Sequence, residues 1–342
     1  MKIQERIAAL AALGEVIDQL SDEEREALYI KASSFNNWFT RDNVESALEG
    51  VKLLLDRENL LRWVAPYRLD PVKPKNVGVV MAGNIPMVGF HDFLSVLVSG
   101  HRLHMKLSSQ DPFLLKYFSK KLVEIAPGFQ DLLNVADLLK GMDAIIATGS
   151  DNSSRYFEYY FSKLPNIIRK NRMSCAVITG HEKPETLVSL GADIFQYYGL
   201  GCRNVSKLYV PEGYDFKDLI ENVQSFQHVM SNHKYTNNYD YNKSIYLVNQ
   251  EPHLDTGFAL LRETQEMVSP ISVIYYEFYK DSNDLQEKLA SQKDKIQCVV
   301  GSSETGISGV IPFGSSQLPG LEDYADDINT LDFLENLTDR NL

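Results

Sequence analysis

Cys202 has the setting of a displayed nucleophile. It follows Gly199-Leu200-Gly201 and precedes the strand-like run Lys207-Leu208-Tyr209-Val210. Glycines let a backbone turn tightly and let a substrate approach a sulfur closely. The competing reading is a buried, inert thiol, because free cysteine is among the most buried residue types. A second set of polar residues sits just beyond short apolar runs. Asn84 follows Val77-Gly78-Val79-Val80-Met81, Lys106 and Ser108 close Leu103-His104-Met105, and Thr148-Gly149-Ser150 ends Ala144-Ile145-Ile146-Ala147. In parallel sheets, ligands bind at the carboxyl ends of strands.

These residues need elements to hold them. Residues 1–70 read as helical, with Ile3, Ile7, Leu10, Ile17 and Leu20 at helical spacing. Ser21-Asp22-Glu23-Glu24 is a capping box, and Thr40 caps a further helix whose apolar face is Val44, Leu48, Val51 and Leu55. From Val77 onward, short continuous apolar runs mark strands buried on both faces. They alternate with helical stretches near 88–98, 112–125 and 152–164. That alternation predicts βαβ units around a parallel sheet.

A second α/β unit follows. Strands are expected at 175–178, 208–210, 244–248, 271–278, 297–300 and 309–313, with helices near 183–196, 216–226 and 285–291. The tail from Leu318 is acidic and turn-rich before a terminal helix.

Composition excludes several classes. The chain has 342 residues, 44% of them hydrophobic, enough for a sizeable core and about two domains. A net charge of −12 argues against nucleic acid or an anionic membrane as the main partner. Cys175, Cys202 and Cys298 form no CxxC pair, so neither a disulfide framework nor a zinc site is expected. The seven histidines are dispersed, and no metal is expected. Glu5, Arg6 and Glu15 interrupt what a signal peptide would need to keep apolar. The longest mostly apolar run, 77–90, holds Asn84 and Pro86 and is too short to span a bilayer. A soluble cytoplasmic protein is expected. The segment from Gly199 is not a dinucleotide fingerprint, because Asn204 stands at the third glycine and a strand follows. There is no P-loop and no GxSxG elbow.

An ordered set does stand out. It runs Asn84-Ile85-Pro86, Lys106-Leu107-Ser108, Thr148-Gly149-Ser150, Gly199 to Cys202, Glu266-Met267-Val268-Ser269-Pro270 and Pro312-Phe313-Gly314. Its order and spacing resemble the aldehyde dehydrogenase superfamily, and within it the LuxC-type acyl-CoA reductases, over about residues 70–320. Arg62-Trp63-Val64-Ala65-Pro66-Tyr67 also resembles that subfamily.

The resemblance implies an α/β, aldehyde-dehydrogenase-like fold. It would comprise a helical N-terminal layer (1–70), a Rossmann-type cofactor domain (71–173), an α/β catalytic thiol domain (174–315) and a tail (316–342). It implies that Cys202 is the nucleophile and Asn84 an oxyanion donor. Lys106 and Ser108 would face the adenosine ribose or its phosphate. Thr148, Gly149 and Ser150 would lie under the pyrophosphate, and Glu266 would bind the nicotinamide ribose, with Glu263 the neighbouring candidate.

Where aldehyde-oxidising members carry a water-activating glutamate, this chain has Arg169-Lys170-Asn171-Arg172. That favours thiol exchange over hydrolysis. The three cations there either meet phosphates or form a solvated turn. The implied reaction is NADPH-dependent reduction of an acyl-CoA or acyl-carrier thioester to an aldehyde, with NADH as the alternative cofactor. Two other readings stand beside it: a related reductase such as a glutamyl-phosphate reductase, or a non-catalytic acyl-binding subunit. A homodimer or an acyl-transferring partner is the expected company. Cys175 and Cys298, inside apolar runs, are expected to be inert core thiols.

Overall fold

The computed structural model describes residues 1–71, 73–149 and 151–339. The chain forms two compact units, Met1–Lys170 with Pro319–Leu342, and Asn171–Leu318.

The first unit opens with helices α1 (Ile3–Asp18), α2 (Asp22–Phe35), α3 (Arg41–Leu54) and α4 (Arg57–Val64). Ser21 and Glu24 each accept from the other's amide and so cap α2 reciprocally. Thr40 accepts from the Asn43 amide and caps α3. The strands and helices that follow are β1 (Asn76–Val80), α5 (Phe90–Ser99), β2 (Arg102–Lys106), α6 (Leu114–Ile125), β3 (Leu133–Val135), β4 (Ala144–Thr148), α7 (Asp151–Phe161) and β5 (Asn166–Arg169). Among the described residues the strands form one parallel sheet in the order β3-β2-β1-β4-β5. Val79 of β1 is in register with Met105 on one side and Ile146 on the other.

This is a doubly wound order. The winding reverses between β1 and β4, which opens a crevice at their carboxyl ends. Gly78 in the middle of β1 is a packing requirement, since a Cβ there would lie 2.7 Å from Ile145 Cδ1. Ile7, Leu10, Leu13 and Ile17 of α1 and Val44, Leu48 and Val51 of α3 share one core with β1, β2 and β4. The N-terminal helices are therefore a layer on this sheet.

The second unit contains β6 (Met173–Val177), α8 (Pro184–Phe195), β7 (Val205–Pro211), α9 (Lys217–Asn222), α10 (His233–Val248), β8 (Leu254–Asp255), β9 (Leu260–Glu263), β10 (Val273–Tyr279), α11 (Ser282–Ser291) and β11 (Ile296–Val300). Its sheet runs β11-β6-β7-β10-β9-β8, and the pairs are parallel except β8 with β9. The last helix, α12 (Thr330–Asp339), belongs to the first unit, where Leu331, Leu334 and Leu337 enter the core.

The α/β architecture matches the expectation, and two sequence-based assignments do not. Residues 244–248 are the last turns of α10, not a strand. Ile245 to Val248 are β-formers, but the longer periodicity wins: Tyr235, Tyr239, Asn242 and Tyr246 make one buried face, and Asn232 caps the start. Residues 309–313 form no strand beyond a single bridge from Ile311 to Val300, because Gly309 and Gly314, both at positive φ, turn the chain at each end. The strands β3, β5, β8 and β9 had no distinct sequence signal, and each spans at most four residues.

Candidate active site

In the first unit, three loops leave the carboxyl ends of β2, β1 and β4, and they carry the expected residues. Asn84 lies in the loop after β1 and is half-buried. That loop is held from several directions. Met81 N–H donates to the Lys106 carbonyl at 3.0 Å, Asn36 Nδ2 donates to the Gly83 carbonyl at 3.3 Å, and Met87 N–H donates to Asp111 Oδ2 at 2.9 Å. Gly83 must be glycine, because a Cβ would sit 2.6 Å from Cβ and Oγ of Ser108. The loops carrying Asn84 and Ser108 are therefore in contact. Lys106 is exposed at the end of β2. Ser108 Oγ also accepts from the Gln110 amide at 3.1 Å, closing a local turn.

Asp111, the first acid after Lys106 and Ser108, is committed to the backbone. It is 4% exposed, and its two oxygens accept from the amides of Met87 and Leu114. Burial pushes its carboxyl above the ordinary range, against the pull of those amides. It caps α6 and fixes the Asn84 loop.

Thr148 and Gly149 end β4. A Cβ on Gly149 would lie 2.8 Å from Ser153 Cβ and 2.9 Å from Phe157 Cε2, so the backbone passes close over the first turns of α7. Ser150 lies outside the described residues.

The basic run 169–172 corrects the sequence reading. Arg169 is neither a phosphate ligand nor part of a solvated turn. It is buried, 2.5 Å from Asp92, and donates to Thr330 Oγ1 at 3.0 Å. Lys170 is exposed and 3.3 Å from Glu158, while Arg172 donates to the Ile296 carbonyl.

In the second unit, Cys202 is half-buried in the turn that leads into β7. The chain reaches it through three consecutive left-handed residues, Tyr197 (φ 52°), Tyr198 (φ 59°) and Gly199 (φ 76°). Two of these are tyrosines, for which that region is unfavourable; such strain persists only where the surroundings enforce it. Asn204 supplies much of the enforcement. It is fully buried, its Oδ1 accepts from the Gly201 amide at 2.8 Å, and its Nδ2 donates to the carbonyls of Asp193, Ile194 and Gln196.

Asp193 in turn accepts from the amides of Gly314 and Ser316 at 2.6 and 3.0 Å. Burial raises its carboxyl above the ordinary range, opposed by those donors. The end of α8 thus joins the Cys202 turn to the Pro312-Phe313-Gly314 segment. Sequence reading missed both roles. The only signal was an asparagine two residues after the cysteine, a residue type that closes turns through its side chain.

Glu266 is exposed in the loop after β9, whereas Glu263 is the last residue of β9, in register with Tyr276. Lys207 of β7 holds the Glu266 loop. Its Nζ, fully buried, donates to the carbonyls of Thr264 and Glu266 and to Glu277 Oε2, the last at 2.9 Å. Ser206 adds a bond to the Met267 carbonyl at 2.9 Å. Burial lowers the Lys207 ammonium, partly offset by Glu277. Burial also works to raise Glu277, but Lys288 and Lys207 outweigh it and hold that carboxyl below its ordinary value.

The two remaining thiols differ. Cys175 is wholly buried, and burial pushes its thiol far up, as an inert thiol requires. Cys298 is half-buried, not a core residue, with Sγ 3.0 Å from Ser174 Oγ; that hydroxyl also donates to the Cys202 carbonyl. Among the described residues, no group of three His, Cys, Asp or Glu is placed to hold a metal, and no helix is long and apolar enough to cross a membrane.

The fold is that of solved aldehyde dehydrogenases. The NAD+ complex of an aldehyde dehydrogenase from Bacillus cereus aligns with a TM-score of 0.61 at 14% identity, covering 88% of this chain and 72% of that one. For the indole-3-acetaldehyde dehydrogenase of P. syringae the TM-score is 0.65 at 11% identity, covering 90% and 74%. For an NAD-dependent aldehyde dehydrogenase from Sinorhizobium meliloti it is 0.64 at 12%, covering 89% and 72%. No protein-family model and no curated protein matches the sequence.

Proposed function

We propose that the protein is a LuxC-type reductase that converts an acyl thioester to an aldehyde with NADPH, through a thioester on Cys202. The observation that carries this reading is the half-buried Cys202, presented by a strained, asparagine-braced turn at the head of a strand. An inert thiol has no need of that arrangement. The fold shared with aldehyde dehydrogenases, two of them named as NAD+ complexes, supports a nicotinamide cofactor.

The residues of the first unit suit such a group. The doubly wound sheet opens its crevice between β1 and β4, and Thr148 and Gly149 lie at the carboxyl end of β4 beside it. Thr148 and Gly149 would lie under the pyrophosphate, Lys106 and Ser108 would meet the adenosine ribose or its phosphate, and Glu266 would accept from the nicotinamide ribose. When bound, the cofactor supplies the hydride. Asp111 is buried with both oxygens taken up by backbone amides, so the 106–111 segment presents no exposed carboxylate to repel a 2′-phosphate, which favours NADPH.

In the first half-reaction the Cys202 thiolate attacks the acyl carbonyl carbon, and the C–S bond to coenzyme A or a carrier thiol breaks. Asn84 donates to the oxygen that becomes negative. In the second half-reaction the thiohemiacetal on Cys202 collapses, releasing the aldehyde and regenerating the thiolate. The segment 169–172 offers no acid to activate water, so the thioester persists until it is reduced.

Intact-protein mass spectrometry after incubation with acyl-CoAs tests the reading. The wild type should gain one acyl mass, lost again on adding NADPH, and Cys202→Ala should gain none. Acylation of Cys202→Ala, or rapid release of free acid without cofactor, refutes it.

A further inference from the structure

We infer that Asn204 is the positioning residue of the nucleophile, setting the reactivity of Cys202 without touching substrate. This rests on the reading of Cys202 given above. Left-handed residues at 197–199 end α8 in a short turn whose last bond, from the Leu200 amide to the Tyr197 carbonyl, stops before Gly201, and the Cys202 carbonyl accepts from Ser174 Oγ. Something else must pin residues 200–203. The Asn204 side chain uses its acceptor on the Gly201 amide at 2.8 Å and its donors on three carbonyls at the end of α8, at 3.1, 3.3 and 2.8 Å. The Asn204 amide closes back on the Gly201 carbonyl at 3.0 Å. Gly201 is thus held at both its N–H and its C=O by one residue, and Cys202 is the next residue along.

The geometry is selective for asparagine. Aspartate would keep the bond to Gly201 but would set a carboxylate against three carbonyl oxygens. Alanine would leave the Gly201 amide and those carbonyls without this partner in a fully buried place. The carbonyl of Asp193 is one acceptor, and the Asp193 carboxylate fastens Gly314 and Ser316. The brace therefore connects the Cys202 turn to the end of α8, which also fastens the 314–316 segment.

The test is the rate at which iodoacetamide alkylates Cys202, followed by peptide mass spectrometry from pH 6 to 10, with Cys298 in the same molecule as internal reference. In Asn204→Ala the ratio of Cys202 to Cys298 labelling should fall at least about tenfold. The midpoint of its pH profile should move, while the KM for acyl-CoA changes less than about twofold and kcat drops. Asn204→Gln, which keeps both polar atoms on a longer arm, should recover part of the loss. An unchanged ratio and pH midpoint in a folded Asn204→Ala overturns the inference.

If the variants do not fold, hydrogen exchange in the wild type decides. The Gly201 amide should be protected at least about a hundredfold over an unstructured peptide, and an unprotected amide overturns the proposal. Alkylation reports the placement of the sulfur whatever the substrate is. A wild type whose Cys202 alkylates as described yet is never acylated would refute the functional reading and leave this one standing.

Discussion

Lys207→Met isolates the buried cation behind the Glu266 loop. Methionine keeps the length and much of the volume of the lysine stem but donates nothing. The lysine is 0% exposed, and its ammonium is spent on the Thr264 and Glu266 carbonyls and on Glu277. Removing one partner of a buried ion pair costs about 3–5 kcal/mol. Glu277 retains Lys288 at 2.8 Å and is partly exposed, so its charge is not wholly uncompensated and the low end, about 3 kcal/mol, applies. For a folding unit of this size each kcal/mol is worth about 2–4 °C, which predicts a fall in Tm of about 6–12 °C. Thermal unfolding at pH 7.5, followed by circular dichroism and calorimetry, reads the shift. Lys207→Met/Glu277→Gln should regain part of it, since neutralising Glu277 removes the demand for a second cation. A Tm within 2 °C of wild type, or a double variant less stable than the single one, would refute the ion-pair account.

The same pair has an acid limb. Glu277 is held below its ordinary value, so its contribution is complete above the unfolded pKa of about 4.3 and disappears as pH falls through the lower folded value. The Tm difference between wild type and Glu277→Gln, followed from pH 7 to 3, should hold steady to about pH 4.5 and then shrink. Asn84→Ala should slow acylation of Cys202 by about a hundred- to a thousand-fold, measured by quenched-flow mass spectrometry, with NADPH affinity nearly unchanged; a loss under threefold would make Asn84 a turn residue. Ser109 is exposed near the end of β2, and Ser109→Glu should lower the ratio of kcat/KM for NADPH over NADH by at least about tenfold, through repulsion of a 2′-phosphate.

The parallel architecture was legible because β1, β4, β6 and β7 carry short apolar runs buried along most of their length and separated by helical spacing, while β2 shows only the alternation of buried Leu103 and Met105 with exposed Arg102 and Lys106. The candidate residues of the first unit were legible because they sit where such strands end, whereas Cys202 precedes its strand and Glu266 follows one with no signal. Two kinds of feature were not. Short edge strands such as β3 and β8 carry too few residues for a pattern to register. The tyrosine face of α10 spans several turns, while its last residues, Ile245 to Val248, imitate a strand locally.

Polar side chains that serve only the backbone were hidden for another reason. Asp193 and Asp111 bond to amides far along the chain, and Asn204 reaches back across a turn to the end of α8, so nothing in their immediate neighbours announces those partners. Arg169 misled in the same way: beside Lys170 and Arg172 it looks like surface, and only the fold supplies Asp92.

The place of α12 has a consequence for the birth of the molecule. Its leucines 331, 334 and 337 complete a core begun by Ile7 and Leu10, and His101 Nε2 lies 3.0 Å from the Leu334 carbonyl. During synthesis the ribosome delivers the five-stranded parallel sheet first, but the sheet stays unsealed while the whole second unit is made. For that interval its apolar flank is open to chaperones and to other nascent chains. The second unit meanwhile holds every residue of its own sheet by the time Leu318 emerges. The unit translated first is thus the one that finishes last, and loss of α12 would be felt in a sheet built from residues 76–169.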